Sequence, residues 1–258
     1  MASGSERVRS ECRDGVLTLV LDRPDKRNAI DGTMVEALSD ALRTADHDAD
    51  VRVVVIRGAG PDFCAGADLA ELLASVDDGP AENARQARRL GEIFTAIREL
   101  PKPVIAAVHG RALAGGCGLA TACDLIVAHA DARFGYPEIT RGFVPAMVMA
   151  VLRRIVGERV AFDLVATGRI LSAAEARDLG MVSRVAPAER FDQEVAAMAQ
   201  HFASASASAL ALIKRQLYEL DGRSFREGIR LGADVNATAR QTPDFREAVS
   251  RFFQPKAG

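Results

Sequence analysis

The sequence predicts an α/β fold, because apolar segments of strand length alternate along the chain with segments of helical periodicity. The expected strands are residues 15–21, 51–57, 104–108 and 125–128, and the clearest helices are residues 34–45 and 84–100. A chain of 258 residues can bury roughly three quarters of its extended surface, so its core needs no disulfide or metal support. We expect a core over residues 1–181, followed by a helical region over residues 182–258.

The first strand, residues 15–21, leads into a turn that carries positive charge. Pro24 cannot lie in a central strand, and Lys26 and Arg27 follow it. These two cations are either solvent-exposed residues of a turn or binding residues for a phosphate-bearing ligand. The sequence of the turn by itself favours solvent exposure. Asp31 has the position of an N-cap for the helix over residues 34–45.

The second strand, residues 51–57, is followed by small residues at the start of a helix, residues 64–68 (CAGAD). Where side chains are this small, backbone amides can come close to a ligand. Asp68 can cap the helix that begins here. The next break, DDGP at residues 77–80, predicts a mobile loop before the long amphipathic helix over residues 84–100.

The third strand, residues 104–108, runs into a glycine-rich turn over residues 110–118, before a short helix that begins LATACD. The turn is not a P-loop, because Gly116 and Cys117 stand where that motif needs Lys and Ser or Thr. Its match to a dinucleotide-binding turn is weak, because Thr121 replaces the third glycine. From this segment alone, close helix–strand packing and an oxyanion site are equally good interpretations.

The fourth strand, residues 125–128, precedes a carboxylate among apolar residues. Glu138 lies close in sequence to Phe134, Tyr136, Ile139 and two further apolar residues, Phe143 and Val144. Such a group is either a cap or ion-pair partner, or an acid–base group whose pKa is raised by burial. The local sequence alone favours the structural role.

Composition restricts the classes of function. A net charge of −2 and the absence of Trp argue against a nucleic-acid partner, and no apolar segment has membrane-spanning length. Four cysteines and four histidines show no metal-ligand spacing, so we predict no metal site and reduced cysteines buried as small apolar residues. The first ten residues lack the apolar core of a signal peptide, and we expect a cytoplasmic protein.

Four motifs in order resemble the enoyl-CoA hydratase/isomerase family, the crotonase superfamily. They are LDRPDKRNAI, VVVIRGAGPDFCAGADL, KPVIAAVHGRALAGGCGLATACDLIVA and ARFGYPEI. A later segment, ILSAAEARDLGMVSRV, is also similar to the family, and the match covers residues 15–253. The resemblance implies a crotonase-like spiral of ββα turns with two roughly perpendicular sheets. It also implies a helical C-terminal region for trimerisation, and hence a homotrimer or a hexamer built as a dimer of trimers.

The same resemblance implies an acyl-CoA substrate, with coenzyme A entering as part of the substrate and no separate cofactor. Ala67 and Gly115 match the family's oxyanion-hole donors, and Glu138 matches one of its catalytic glutamates. The expected substrate-binding residues follow the family's coenzyme A path and the small residues beside the donors: Lys26, Ala65, Gly66, Asp68, Leu69 and Gly116.

The sequence departs from the family in three places. Gly118 stands where the classical hydratases have a second glutamate. Met147 and Met149 lie where small residues are usual, and either narrow an acyl pocket or begin a buried helix. The basic run that often ends family members is reduced to Lys256.

These observations predict an enzyme that stabilises an enolate and moves one proton with Glu138. One carboxylate suffices to shift a double bond, so we prefer isomerisation of an enoyl-CoA, with hydration close behind. The alternative is a catalytically silent acyl-CoA-binding member of the family. The acyl group is left open.

Overall fold

The computed structural model of the protein describes residues 3–5 and 7–253. Its strands, β1 to β10 in chain order, are Ser3–Ser5, Val8–Arg13, Val16–Leu21, Val53–Gly58, Val104–Val108, Arg111–Leu113, Leu125–His129, Arg133–Gly135, Ile170–Ser172 and Arg184–Ala186. Its α-helices, α1 to α11, are Gly32–His47, Leu69–Ala74, Pro80–Glu99, Gly115–Ala122, Ala146–Val156, Glu158–Thr167, Ala173–Asp178, Phe191–Ser204, Ala207–Glu219, Phe225–Ala239 and Pro243–Phe253. Short 3₁₀ turns lie at Pro24–Lys26, Val76–Asp78, Pro137–Arg141 and Ala188–Arg190.

The main sheet has the strand order β1-β2-β3-β4-β5-β7-β10 in the described chain. Its first three strands form an antiparallel meander, and the strands from β3 to β10 pair in parallel. The parallel connections are made by helices, which cover the sheet as this topology requires. A smaller sheet has the order β6-β8-β9, so the expected α/β class and the two sheets are both found.

Both faces of the central strands are buried, which explains their nearly continuous apolar sequence. In β4, Val54 and Ile56 face the larger core, whereas Val53 and Val55 face a second cluster. That second cluster is closed by α8, whose inward side chains include Phe191. The prediction of a buried strand from the β-branched residues of this segment is therefore confirmed.

Several predicted element ends are also confirmed. Asp31 caps α1 by accepting a hydrogen bond from the N–H of Met34 at 2.8 Å. Asp68 caps α2, and Ile93, Phe94 and Ile97 form the buried side of α3. These features follow from local chemistry: a short acidic side chain satisfies free N–H groups, and apolar residues at helical spacing face the core.

Two local predictions were wrong in extent. The expected loop at residues 77–80 contains a 3₁₀ turn, and Pro80 is already the first residue of α3, a position where its missing N–H costs nothing. The expected turn at residues 110–118 contains β6, and α4 begins at Gly115 rather than at LATACD. Small residues allow this early helix start, because a Cβ on Gly116 would lie 2.4 Å from the carbonyl oxygen of Cys64.

The chain after residue 182 begins by completing the main sheet. Strand β10 pairs with β7, and α8 packs on the face of the sheet formed by β3, β4 and β7. Of the following helices, α9 contacts both α10 and α11 and also packs against α3. The boundary expected between residues 181 and 182 stays a prediction, and the helical region proper starts at α8.

The cysteines are free thiols, three of them buried and Cys12 half-buried. Burial raises the pKa of Cys64 and of Cys117 to about 12, so these thiols are neutral at ordinary pH. No single helix in the described ranges is both long and apolar enough to cross a membrane. The bent pair Ala188–Ser204 and Ala207–Glu219 passes that test by length and composition.

Candidate active site

The loops that carry Ala67 and Gly115 lie side by side in the fold. An isolated parallel bridge joins Cys64 to Ala112, and its hydrogen bonds run from Cys64 N–H to Arg111 O and from Leu113 N–H to Cys64 O. Ala67 lies three residues after Cys64, and Gly115 lies three residues after Ala112. The register of the bridge therefore places the two residues next to each other. The nitrogen of Ala67 lies 3.7 Å from the point that a Cβ on Gly115 would occupy.

The N–H of Ala67 points away from the turn that precedes α1. A second parallel bridge pairs Ala67 with Ile30, through Ile30 N–H to Gly66 O at 2.8 Å and Asp68 N–H to Ile30 O at 2.9 Å. In this pattern the neighbours of Ala67 supply the hydrogen bonds, and its own N–H is directed to the opposite side. No acceptor within the described ranges takes that N–H.

The N–H of Gly115 is free because it begins α4, where a helix has no internal acceptors for its first donors. The preceding residue, Ala114, has φ 51° and ψ −130°, a backbone conformation that residues other than glycine rarely adopt. Such a conformation costs on the order of 1–3 kcal/mol and is maintained by its surroundings. Here Gly135 O accepts the Ala114 N–H at 2.8 Å. The result is two free amides that can share one anionic oxygen.

The glycines beside these donors, Gly66 and Gly116, are needed for packing. Gly66 has φ 102°, and a Cβ on it would lie 2.7 Å from the Cβ of Ala114. A Cβ on Gly116 would meet Cys64 at 2.7 Å or less. Only residues without side chains let the two loops approach this closely. Direct contact of these glycines with a substrate stays a prediction.

Glu138 occupies the 3₁₀ turn Pro137–Arg141 that follows β8. Its side chain is buried, with the residue 8% exposed, and its Oε2 has no hydrogen-bond partner among the described residues. Burial raises the pKa of the Glu138 carboxyl, against the smaller opposing effects of its own N–H and of Arg141. The sequence favoured a cap or an ion pair for Glu138, and neither is found in the described chain. The chemistry therefore favours an acid–base group.

The apolar surroundings expected for Glu138 are only partly present. Phe134 and Tyr136 are fully buried, whereas Ile139, Phe143 and Val144 are exposed. The exposed side chains follow Glu138 in the chain, where the backbone leaves the core before α5. Glu138 is thus at the edge of the core, with an apolar wall on one side.

The space beside Gly118 is filled by apolar side chains. A Cβ on Gly118 would lie 2.5 Å from Cγ2 of Val148 and 3.1 Å from Cζ of Phe94. A glutamate at this position could not fit without displacing both. Two methionines of α5 stand where the family usually has small residues. Met147 is partly buried and packs against the core, and Met149 is exposed.

The residues expected along the coenzyme A path differ in their exposure and in the contacts they make within the protein. Lys26 is exposed at the end of the Pro24–Lys26 turn, and Leu69 is 56% exposed on α2. Ala65 donates its N–H to Arg27 O at 3.0 Å. The Asp68 carboxylate caps α2 and pairs with Arg23 at 3.0 Å, so its contacts are already structural. Ligand contacts of these four residues stay predictions.

A surface depression of about 520 Å³ lies over the N-termini of α1 and α2. Its lining includes the carboxylates of Asp31, Glu36, Asp68 and Glu71, with Arg89 as a cation. This surface is acidic, so it does not complement a phosphate group. We do not assign it to the nucleotide part of a ligand.

Sequence reasoning missed two buried polar residues beside the site, Arg23 and Asn28. Asn28 has φ 55° and donates from Nδ2 to Ala59 O and to Asp62 O, both at 2.8 Å. The signal was present in LDRPDKRNAID, where an Arg precedes a Pro-initiated turn and an Asn can take the left-handed conformation. The sequence alone could not show which carboxylates these residues would meet.

Comparison with known proteins agrees with this geometry. The model of the family described as enoyl-CoA hydratase/isomerase matches residues 11–256. A Thermus thermophilus protein, named as a proposed enoyl-CoA hydratase, is 42% identical over 241 residues, covering 93% of this chain and 95% of the relative.

Solved structures give the same result. The crystal structure of an enoyl-CoA hydratase from Mycobacterium smegmatis matches with a TM-score of 0.92 at 34% identity, covering 96% of each chain. That of human enoyl-CoA hydratase domain-containing protein 3 matches with a TM-score of 0.91 at 31% identity, covering 96% of this chain and 97% of that one.

Proposed function

Since this chain belongs to the enoyl-CoA hydratase/isomerase family and is an enzyme, we propose that it moves a proton on an enoyl-CoA thioester through an enolate. The observation that carries the proposal is the pair of main-chain amides at Ala67 and Gly115, whose N–H groups no described residue accepts, together with the buried carboxyl of Glu138, whose Oε2 has no partner in the same part of the chain. The family acts on acyl-CoA substrates, which fits this chemistry.

In this proposal the two amides hold the oxygen of the thioester carbonyl. Removing a proton from the carbon next to that carbonyl places negative charge on the oxygen. One well-placed donor is typically worth about 3–4 kcal/mol in such a transition state. Proton transfer of this kind changes no oxidation state, so we expect no redox cofactor, and because the two amides hold the developing charge we expect no metal. Coenzyme A takes part as a portion of the substrate.

Glu138 is the proposed acid–base group. As a carboxylate it takes a proton from the α-carbon of a 3-enoyl-CoA, and the electron pair moves onto the carbonyl oxygen. The resulting carboxylic acid returns the proton to the γ-carbon, which leaves the conjugated 2-enoyl-CoA and the original carboxylate. A raised pKa makes the Glu138 carboxylate a stronger base and so favours the abstraction of the proton from the α-carbon.

We prefer isomerisation to hydration because of the surroundings of Gly118. Hydration requires both that water is activated and that carbon is protonated, and two separate groups share these tasks in the classical arrangement. At Gly118 there is no side chain, and Val148 and Phe94 fill the adjacent space. Hydration is the second candidate, supported by the relatives that bear the name hydratase. In that case Glu138 has to activate the water and also supply the proton.

Binding of the coenzyme A portion is proposed for the two exposed residues of the predicted path. Lys26 offers an exposed cation to a phosphate, and Leu69 offers an apolar surface to the pantetheine chain. Ala65 and Asp68 lie between them on the loop that also carries Ala67. A cytoplasmic location belongs to the same proposal and rests on the sequence alone.

The experiment is a panel of 2-enoyl-CoA and 3-enoyl-CoA substrates followed by the ultraviolet absorbance of the conjugated thioester. Gain of absorbance from the 3-enoyl substrates supports isomerisation, and loss of absorbance from the 2-enoyl substrates indicates hydration. If the wild-type protein binds acyl-CoA but changes none of the panel, the alternative of a silent acyl-CoA-binding protein is correct.

The first prediction concerns Glu138→Gln. The amide cannot take a proton, so kcat should fall by about 10²–10⁴, the usual contribution of a general acid–base group. The Kd for a saturated acyl-CoA, measured by calorimetry, should stay within about threefold, because the oxyanion donors are main-chain groups that the substitution leaves in place. The control is Glu189→Gln, at an exposed residue of the Ala188–Arg190 turn. Equal kcat values for the two variants would rule out the proposed role of Glu138.

A further inference from the structure

Arg23 is a buried cation on the turn that supports the Ala67 loop. The residue is 8% exposed and lies directly after β3 and the acidic Asp22. Its main-chain N–H donates to Asn28 Oδ1 at 2.9 Å, and its Nη1 donates to Ala29 O at 2.8 Å. The turn that Arg23 begins is therefore closed on itself by buried hydrogen bonds.

The guanidinium of Arg23 also joins the caps of two helices. Nη1 lies 3.1 Å from Oδ2 of Asp31, the N-cap of α1, and Nη2 lies 3.0 Å from Oδ2 of Asp68, the N-cap of α2. A planar guanidinium with several donors can span two carboxylates in this way, which the single ammonium group of a lysine cannot do with the same geometry.

The connection between Arg23 and Ala67 is short. Asp68 directly follows Ala67, and the bridge to Ile30 holds the peptide groups on both sides of Ala67. Burial raises the pKa of Asp68, but hydrogen bonds from Arg23 and from the N–H groups of Ala70 and Glu71 outweigh this and lower its pKa below the ordinary value. Asp68 therefore stays ionised and paired with Arg23 at neutral pH.

The Ala67 loop is consequently fixed from two sides. Strand β6 holds it through Cys64, and the turn holds it through the N–H of Ala65, the bridge to Ile30 and the pair of Arg23 with Asp68. The pair of Arg23 with Asp68 is a contact between charged side chains, and no catalytic role explains why Arg23 is a buried cation there.

We propose that Arg23 is a positioning residue for the oxyanion donor of this enzyme. By pairing with Asp68 and Asp31 it fixes the direction of the Ala67 N–H relative to that of Gly115, and it does not touch the substrate. The inference rests on the proposed function, because the Ala67 N–H has to be the group that holds the thioester oxygen.

The second prediction follows from this role. In Arg23→Met the two carboxylates lose their shared partner, and kcat should fall by about 10², the order expected when a catalytic group moves by roughly 1 Å. KM should change by less than kcat, because the Ala67 N–H acts mainly on the charge that develops in the transition state. Arg23→Lys should recover part of kcat, since a lysine can pair with one of the two carboxylates.

The matched control is Lys214→Met. Lys214 is an equally buried cation, paired with Asp124 at 2.7 Å, but Asp124 binds the first residue of β5 rather than the loops beyond its last residue. After correction for the folded fraction, kcat should be reduced in Arg23→Met and unchanged in Lys214→Met. An equal effect of the two substitutions, or a change in KM alone for Arg23→Met, would overturn the proposal.

A second measurement separates this inference from the proposed function. Hydrogen–deuterium exchange of a peptide covering residues 64–70 should become faster in Arg23→Met and in Arg23→Lys, and stay unchanged in Lys214→Met. Arg23→Lys carries the test alone if Arg23→Met does not fold. An inactive wild type with this exchange pattern would reject the proposed function, and with it the catalytic purpose of Arg23, while still showing that Arg23 orders the Ala67 loop. Unchanged exchange in both Arg23 variants would reject the positioning role.

Discussion

Glu138 illustrates how burial turns a common side chain into a candidate acid–base group. Its carboxyl lies at the edge of the core, and no cation or amide fully compensates its charge there. Desolvation destabilises the ionised form, so the pKa rises. Since a structural carboxylate would normally be capped or paired, the residue-scale observation that most favours catalysis is that Oε2 has no partner among the residues the structure describes.

The third prediction is the pH dependence of this group. Glu138 must be ionised to take a proton, so kcat/KM should increase with pH on the acid side. The midpoint should lie above 4.5, the ordinary value for glutamate, because the pKa is raised. A profile of kcat/KM between pH 4 and pH 8 measures this midpoint. A midpoint at or below 4.5 would contradict the proposed burial of the ionisable group.

Ala114 is the second residue whose conformation points to function. A non-glycine residue with φ 51° and ψ −130° is strained, and it directly precedes the donor Gly115. Strained backbone of this kind tends to occur at functional sites, where the surrounding structure maintains it. The Cβ of Ala114 packs against Gly66, so this strained residue is also a contact between the two donor loops.

At the scale of elements, helix α9 is attached to the core by a buried polar cluster. Lys214 donates to Ile97 O, Lys102 O and Asp124 Oδ2 at 2.7, 2.9 and 2.7 Å, and Tyr218 donates to Asp124 Oδ1 at 2.8 Å. These contacts fix α9 across the end of α3 and the start of β5. The C-terminal helices are thereby held in one place on the core.

The fourth prediction is the cost of breaking this cluster. Lys214→Met leaves the partly buried Asp124 carboxylate without its cation, and the free energy of unfolding should fall by about 3 kcal/mol, the lower end of the range for a buried pair. Chemical denaturation followed by circular dichroism measures the change. The double variant Lys214→Met with Asp124→Asn should be less destabilised than Lys214→Met alone, because the uncompensated charge is gone. A larger loss in the double variant would show that hydrogen bonding, not charge, dominates.

At the scale of the whole molecule, the C-terminal helices expose apolar side chains. Phe225 is 87% exposed, and Ile213, Leu217, Ile229 and Phe252 are also exposed. An apolar surface of this extent is typical of a protein–protein contact. Together with the family resemblance, it supports the proposal of a homotrimer or of a hexamer built from two trimers. Lys256, to which the terminal basic run of the family is reduced in this sequence, lies outside the described residues.

The fifth prediction tests this assembly by light scattering after size-exclusion chromatography. The wild type should have three or six times the mass of one chain, and the variant with Phe225→Asp and Ile229→Asp should shift toward one chain. The control is Phe162→Asp, an exposed residue of α6 outside the C-terminal helices. A monomeric wild type, or dissociation by the control substitution alone, would contradict the proposed interface.

The sequence determined the elements whose cause is local. The strand at residues 104–108 was predicted with its observed ends, and the caps at Asp31 and Asp68 were identified from residue type and position. It missed β2, because Val8 and Cys12 are its two apolar residues and polar residues separate them, and because the strand is defined by its pairing with β1 and β3. A strand of this composition carries little apolar signal of its own.

The candidate site divides in the same way. The family resemblance identified Ala67, Gly115 and Glu138, and the small residues around the two donors were visible in the sequence. Only the tertiary structure decided that the bridge between Cys64 and Ala112 brings the donors together, and that Arg23 meets two carboxylates from different loops. Local sequence specifies which conformations a segment favours. The distance between two amides depends on the register between segments far apart in the chain, which packing sets.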